Sequence, residues 1–322
     1  MNNCEKDLNG NKTVFIVGPT ASGKSFIAHQ LAKKIKNAEI ISADSMQVYS
    51  HMDIITAKPT LEDRNEISYH LVDYVRFDNS YSVSDFYGDA VSAVKMIQDK
   101  GKIPIIVGGT GMYVRTLLKG ICDTPSSDEV YRSQMRDISL KYGSVYLHDK
   151  LCEIDAVSAD SIPHQNVRRV IRALEVYKIT GEKFSDLKSQ WDKPVDINHP
   201  VLGRLFLWGV FWPRVLMYER INSRVDEMIK QGLIDEVKQL LELGVLDNQY
   251  ASQALGIKEI LTYINDDLDL EGAVKLLKRN TRRFAKRQLT WFGKEDGFDW
   301  FFLLNDYSFC KVIADMYGKI KK

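Results

Sequence analysis

The chain has 322 residues, enough for about two domains, and 44% of them are apolar, which suits a buried core. Lys and Arg number 44 against 43 Asp and Glu, a net charge of +1, so no whole-molecule field marks a nucleic-acid or membrane partner and local clustering has to carry any such argument. Cys4, Cys122, Cys152 and Cys310 stand far apart with no Cys-x-x-Cys pair, which argues against a zinc site or a disulfide framework. Residues 1–12 are too polar for a signal peptide and no run of about eighteen apolar residues occurs, so a cytoplasmic protein is expected.

In chain order, the apolar run 14–17 predicts a strand and residues 26–32 an amphipathic helix. Between them Gly18, Pro19, Thr20, Ala21, Ser22, Gly23, Lys24 and Ser25 spell Gly-x-x-x-x-Gly-Lys-Ser in its strand–loop–helix context. The residue types follow from anion binding. Gly18 and Gly23 let the backbone curl so that successive N–H groups and the helix end face one anion, Lys24 adds a point charge, and the Ser25 hydroxyl suits Mg²⁺. The loop does not say which phosphate compound it holds.

A second strand over residues 39–42 runs into Asp44, Ser45, Met46 and Gln47, where an open α/β sheet lines its ligand crevice. Taken alone, Asp44 reads as a turn or cap aspartate; beside the phosphate loop, with Ser45 and Gln47 at the same rim, it reads as functional. Residues 54–78 read as loops and short elements with Pro59 ending any local helix, and a helix is expected from Ser84, stopped by Gly101. The run 103–107 predicts a strand buried on both faces, ending in Gly108, Gly109, Thr110 and Gly111. A P-loop ATPase commonly wants an acidic residue after such a strand, and none stands here, which makes ATP hydrolysis a poor expectation.

From 122 to 200 the pattern turns helical without a core strand, so an inserted helical domain is expected there, with core segments at 1–121 and 201–322. Within it, Val167, Val170, Ile171 and Leu174 share one helix face and Gln165, Arg168, Arg169 and Arg172 another, either a solvated basic face or a phosphate contact. A strand-like run at 201–211 precedes Pro213, expected in a first helical turn, and a helix on which Arg220 and Arg224 are four apart. Between Gly272 and Lys294 no acidic residue occurs, while Lys275, Lys278, Arg279, Arg282, Arg283, Lys286 and Arg287 make a basic stripe over a seam of Leu270, Val274, Leu277, Phe284 and Trp291.

Together, the motifs at 18–25, 44–49, 56–59 (Thr-Ala-Lys-Pro), 108–113 (Gly-Gly-Thr-Gly-Met-Tyr), 165–169 (Gln-Asn-Val-Arg-Arg) and 285–292 (Ala-Lys-Arg-Gln-Leu-Thr-Trp-Phe) closely resemble the tRNA dimethylallyltransferase family along nearly the whole chain. The resemblance implies an α/β fold with a P-loop NTPase-like parallel sheet flanked by helices and an inserted all-helical domain. It implies transfer of a dimethylallyl group from dimethylallyl diphosphate to the exocyclic amine of the adenosine 3′ of the anticodon, in tRNAs reading U-initial codons. Asp44 would be the general base, with Thr110 and Arg224 also catalytic, and the 18–25 loop with Mg²⁺ on Ser25 would hold the diphosphate. Asp44, Ser45, Met46, Gln47, Thr110, Arg132, Gln165, Asn166, Val167, Arg168 and Arg169 would contact the anticodon stem-loop. The zinc-finger extension of eukaryotic relatives is absent, which suggests a bacterial-type enzyme, and a monomer with no membrane partner is expected. Two positions depart from the family pattern: Ile55 replaces a glycine and Ile257 a tyrosine. The rival readings are a small-molecule kinase using the same loop for ATP and a non-catalytic RNA-binding protein.

Overall fold

The computed structural model describes residues 11–122 and 125–321; segment 1–10, with Cys4, lies outside the described residues. Among them, seven strands form one sheet: β1 (Lys12–Val17), β2 (Ala38–Ser42), β3 (Tyr69–His70), β4 (Ile103–Gly108), β5 (Asn198–His199), β6 (Gly203–Phe211) and β7 (Asp299–Phe302). The order is β3-β2-β4-β1-β6, with β5 and β7 both paired to β6, and every pair is parallel except β5 with β6.

Parallel strands covered on both faces need apolar side chains on both, and the continuous runs supply them. Because successive side chains alternate, Phe15, Val17, Ile41 and Ile106 join one core, and Val14, Ile16, Ile40 and Ile105 the other. The first core takes the helix Val83–Asp99 through Phe86, Ala90, Val94 and Ile97, with Phe86 stacked on Tyr113 at 3.8 Å between ring centres. That helix starts at Val83, one residue before the expected Ser84, because Ser82 and Asp85 form a reciprocal capping box. The second core takes the helices Lys24–Ile35 and Tyr307–Lys321. This is a P-loop NTPase-like parallel sheet flanked by helices.

The chain divides into two compact units, residues up to Leu118 with those from Val195 onward, and Lys119–Pro194. The second unit is all helical in its described residues and has its own core of Leu147, Leu151, Ile162, Val170, Ile171 and Leu174. Its boundary differs from 122–200, since Asn198 and His199 pair with Arg204 and Gly203 and so belong to the sheet. Pro213 is also displaced from expectation: it precedes the helix Arg214–Lys230 as its cap residue, with extended ψ of 144°. No helix among the described residues is long and apolar enough to cross a membrane.

Candidate active site

Parallel strands bring their carboxyl ends to one edge of the sheet. Register pairs Val17 with Gly108 and with Gly209, and Ser42 with Val107, so the segments that follow β1, β2 and β4 emerge side by side. They wall a cavity of about 660 Å³ lined by Thr20, Ala21, Gly23, Lys24, Ser25, Asp44, Ser45, Met46, Gln47, Thr110 and Arg224.

The phosphate loop is held from behind. Gly18 sits so close to β6 that a Cβ there would lie 2.5 Å from the Val210 carbonyl oxygen, and Gly23, at φ 85°, would meet the Phe309 ring at 2.6 Å. The Trp212 indole N–H donates to the Ser22 carbonyl at 3.0 Å, and Arg220 donates to the Ala21 carbonyl at 3.1 Å while pairing with Asp306. Gly18, Pro19 and Ser22 therefore form the backing of the loop and do not line the cavity. Two loop N–H groups are committed inside the protein, Ser22's to the Pro19 carbonyl and Thr20's to the Gln288 side chain, so fewer loop amides are left to face an anion than the motif alone suggests.

Lys24 and Arg224 stand on the cavity wall near Asp44. Burial pushes the Lys24 ammonium down from 10.5 to about 8, opposed by the Asp44 carboxylate and reinforced by Arg224. Burial likewise lowers Arg224, again opposed by Asp44, and a guanidinium starting so high remains charged. Two cations held so close that each is lowered mainly by burial, with Asp44 as the carboxylate that opposes the shift in both, form a site at which an added anion would be stabilised.

Asp44 is aimed by its neighbours. Its Oδ1 accepts the Met46 N–H at 3.0 Å, a local turn that fixes the carboxylate. Thr110 binds both residues flanking it: the Thr110 N–H donates to the Ala43 carbonyl at 3.2 Å, and its Oγ1 accepts the Ser45 N–H at 3.0 Å. Gln47 lines the cavity, but its amide is occupied, donating to the Thr56 and Ala57 carbonyls and accepting from Ser42 Oγ. In the same strap the Lys58 ammonium is buried between Asp73, at 2.6 Å, and Asp53, at 3.0 Å. The ammonium is buried while both carboxylates stay partly exposed, so removing them would leave a buried charge unpaired, which makes Thr-Ala-Lys-Pro a structural anchor for the cavity wall.

The two departures Ile55 and Ile257 lie in one core cluster, and Ile55 packs where a Cβ on Gly256 would come within 2.9 Å of it. Ile55 also lines the cavity. The bulk gained at Ile55 thus rests on a glycine beside the second departure.

In the helical unit, Asn166 caps the helix Val167–Thr180 by accepting the Arg169 N–H, Val167 packs toward the core, and Gln165, Arg168 and Arg169 are exposed at that helix start. Arg132 is committed to the fully buried Glu175, at 2.8 and 2.9 Å, and to Glu129 at 3.0 Å. Burial raises the Glu175 carboxyl, but hydrogen bonds from Arg132 and Arg172 outweigh it and hold the group below its usual range. Arg132 is thereby a brace of this unit's own core.

Sequence reasoning missed what the helix Leu270–Phe292 adds to the cavity: Leu277, Thr281, Phe284, Arg287 and Gln288. The seam of that helix also differs from expectation. Its fully buried residues are Ala273, Leu277, Ala285, Gln288 and Phe292, with Leu270, Val274, Phe284 and Trp291 only partly covered. A glutamine in register with apolar neighbours was the available signal. Lys278 and Arg282 of the basic stripe turn to Asp226 and Asn222, whereas Arg279, Arg283, Lys286 and Arg287 are exposed.

Residues 47–295 match the IPP transferase family. The chain belongs to that family. It is 47% identical over 291 residues to a tRNA dimethylallyltransferase of Carboxydothermus hydrogenoformans, covering 90% of this chain and 91% of the relative, and 42% identical over 317 residues to one of Bacillus cereus, covering 98% of each. Among solved structures it is similar to a full-length tRNA isopentenylpyrophosphate transferase of Bacillus halodurans, at 40% identity, 97% coverage of both chains and a TM-score of 0.67. A eukaryotic dimethylallyltransferase acting on tRNA matches at 30% identity, 96% coverage of this chain, 77% of that one and a TM-score of 0.76. This family member is thus a prenyltransferase by kinship, and the family match begins at Gln47, after the phosphate loop and Asp44.

Proposed function

We propose that this cavity transfers a dimethylallyl group from dimethylallyl diphosphate to the exocyclic amine of the adenosine 3′ of the anticodon, in tRNAs reading U-initial codons. The observation that carries the reading is the placing of one carboxylate, Asp44, in the same cavity as two cations, Lys24 and Arg224, at a phosphate loop. An alkyl transfer from a diphosphate needs both halves. The amine nitrogen forms a bond to C1 of the prenyl group while the C1–O bond breaks and its electron pair leaves with the diphosphate. Lys24 and Arg224 meet the growing negative charge, and Asp44 takes the amine proton. A base is needed because the adenine amine lone pair is delocalised into the ring.

The residues present fit Mg²⁺ arriving with its substrate: Ser25 is exposed on the cavity wall at the first turn of its helix, and among the described residues no cluster of three or more His, Cys, Asp or Glu could cage a metal. Held by Ser25 and the diphosphate, the ion would neutralise leaving-group charge. An anticodon-loop base is single-stranded, so turning it into the cavity costs little unpairing. The exposed Gln165, Arg168 and Arg169 are the proposed contacts to the stem-loop backbone, with Asp44, Ser45, Met46 and Thr110 on the acceptor side and Arg132 supporting its unit from within.

Incubating the protein with unmodified tRNA, dimethylallyl diphosphate and Mg²⁺ and weighing the digested nucleosides tests the proposal. Prenylated adenosine next to the anticodon is the expected product; its absence together with turnover of ATP would favour the kinase reading. Replacing Arg168 and Arg169 by Ala should weaken tRNA binding and shrink the slope of log K against log salt by about 2, one for each phosphate contact. An unaltered slope would leave these arginines as a solvated face.

Lys24 makes donor binding pH-dependent. Its pKa near 8 in the free protein means that the ammonium is lost as pH rises through 8, whereas a diphosphate binds the charged form more tightly than the neutral one. Donor affinity should therefore fall above pH 8, and binding at pH 8–9 should take up protons. Calorimetry in two buffers of different ionisation enthalpy measures the uptake; identical heats in both would refute it.

A further inference from the structure

We propose that Gln288 is the positioning residue that sets the spacing between the leaving-group cradle and the base, on the reading that this cavity transfers a prenyl group. The Gln288 side chain is buried and joins two loops that do not otherwise share a side-chain hydrogen bond among the described contacts. Its Oε1 accepts the Thr20 N–H at 2.8 Å, and its Nε2 donates to the Gly109 carbonyl at 2.9 Å. Both bonds fix the amide's orientation, since only the oxygen can accept and only the nitrogen can donate.

The loops on either side carry the two halves of the chemistry. Thr20 belongs to the anion cradle, and with its N–H turned to Gln288 the rest of the residue faces the cavity. Gly109 leads directly into Thr110, which binds Ala43 and Ser45, the two neighbours of Asp44. A path of hydrogen bonds, joined through the Gly109–Thr110 peptide bond, therefore runs from the cradle through Gln288 to the residues that flank the carboxylate. Gly109 is glycine for the same reason: a Cβ there would lie 2.3 Å from Gln288 Nε2. The bridge hangs from a 23-residue helix, so its reference point is rigid. In-line attack tolerates little error in the distance between nucleophile and leaving group, and a misplacement of about 1 Å costs about 10²-fold.

The test uses Gln288→Glu and Gln288→Met in the full-length protein, with prenylated tRNA formed per second as readout and thermal unfolding as a folding control. An ionised carboxylate still accepts the Thr20 N–H but repels the Gly109 carbonyl, whereas a protonated one accepts and donates as the amide does. Burial raises the pKa of an introduced carboxyl, so protonation is reached in an accessible range. At pH 8 Gln288→Glu should lose about 10- to 100-fold in kcat with the tRNA KM little changed, and its activity relative to wild type should recover as pH falls toward about 5.5. Gln288→Met, with neither donor nor acceptor, should stay low at every pH. A merely structural glutamine would make both variants lose activity in step with their unfolding temperatures, with no recovery in acid. A flat ratio for Gln288→Glu across pH, or wild-type kcat in Gln288→Met, overturns the proposal. A wild-type protein that makes no prenylated adenosine overturns instead the transferase reading, and this proposal with it.

Discussion

Asp44→Asn should lower kcat by about 10²–10⁴-fold while tRNA binding stays within a few-fold of wild type. Asparagine is the informative replacement because its carbonyl oxygen still accepts the Met46 N–H, so the turn that aims the side chain survives. What disappears is the basic oxygen that, on the proposed mechanism, takes the amine proton. A second consequence travels with it. The Asp44 carboxylate raises the Lys24 pKa, so without it Lys24 titrates lower still and the alkaline loss of donor affinity moves below pH 8. Rates should therefore be compared at saturating donor and on the low-pH plateau of each protein's own donor-binding profile, where Lys24 is charged in both. If kcat there falls less than tenfold, Asp44 is not the base and acts only through the charge of Lys24.

The parts of this site that were legible in the sequence are those built from neighbours in the chain. Gly18 to Ser25 carries its strand, turn and helix within one short segment, and Asp44 follows a strand apolar enough to recognise. The strands β1, β2, β4 and β6 announce themselves because a parallel strand covered on both faces reads as a mostly continuous apolar run, the buried Thr13, Glu39 and Ser42 being exceptions. β3 and β7 do not, being two and four residues long and composed of Tyr-His and Asp-Trp-Phe-Phe, a pattern that packing against a ready-made sheet edge tolerates. Partners distant in sequence were also out of reach. Arg132 reads as a surface cation until Glu175, 43 residues later, is seen beneath it. Gln47 reads as a free rim amide until Thr56 and Ala57 fold over it. Gln288 illustrates the opposite bias: period alone puts it on the buried face, and only its polarity argued against placing it there. Polar residues on buried faces are the places where hydrophobic pattern under-reads function, because a buried amide must have partners, and here those partners are two loops of the candidate site.

Arg224→Gln should reduce kcat/KM for the donor by about 10²–10³-fold, the loss expected when one preorganised charge is removed from a developing anion. The sign of its effect on Lys24 helps to separate binding from catalysis. Arg224 lowers the Lys24 pKa, so its removal raises that pKa and extends the range in which the ammonium is present to higher pH. Donor binding in the variant therefore loses one cation but keeps the other over a wider range, and its alkaline limit should move above pH 8. The diphosphate already carries charge in the ground state, and that part of the interaction shows as a raised dissociation constant. The charge that arrives on the leaving oxygen exists only as the C1–O bond breaks, and stabilising it shows in kcat alone. If Arg224 acts on the leaving group, single-turnover rates at saturating donor should fall by more than the dissociation constant rises. A variant with unchanged single-turnover rate and a dissociation constant raised by the whole factor would instead make Arg224 an anchor for the ground-state diphosphate, leaving Lys24 and the metal to meet the charge of the departing group.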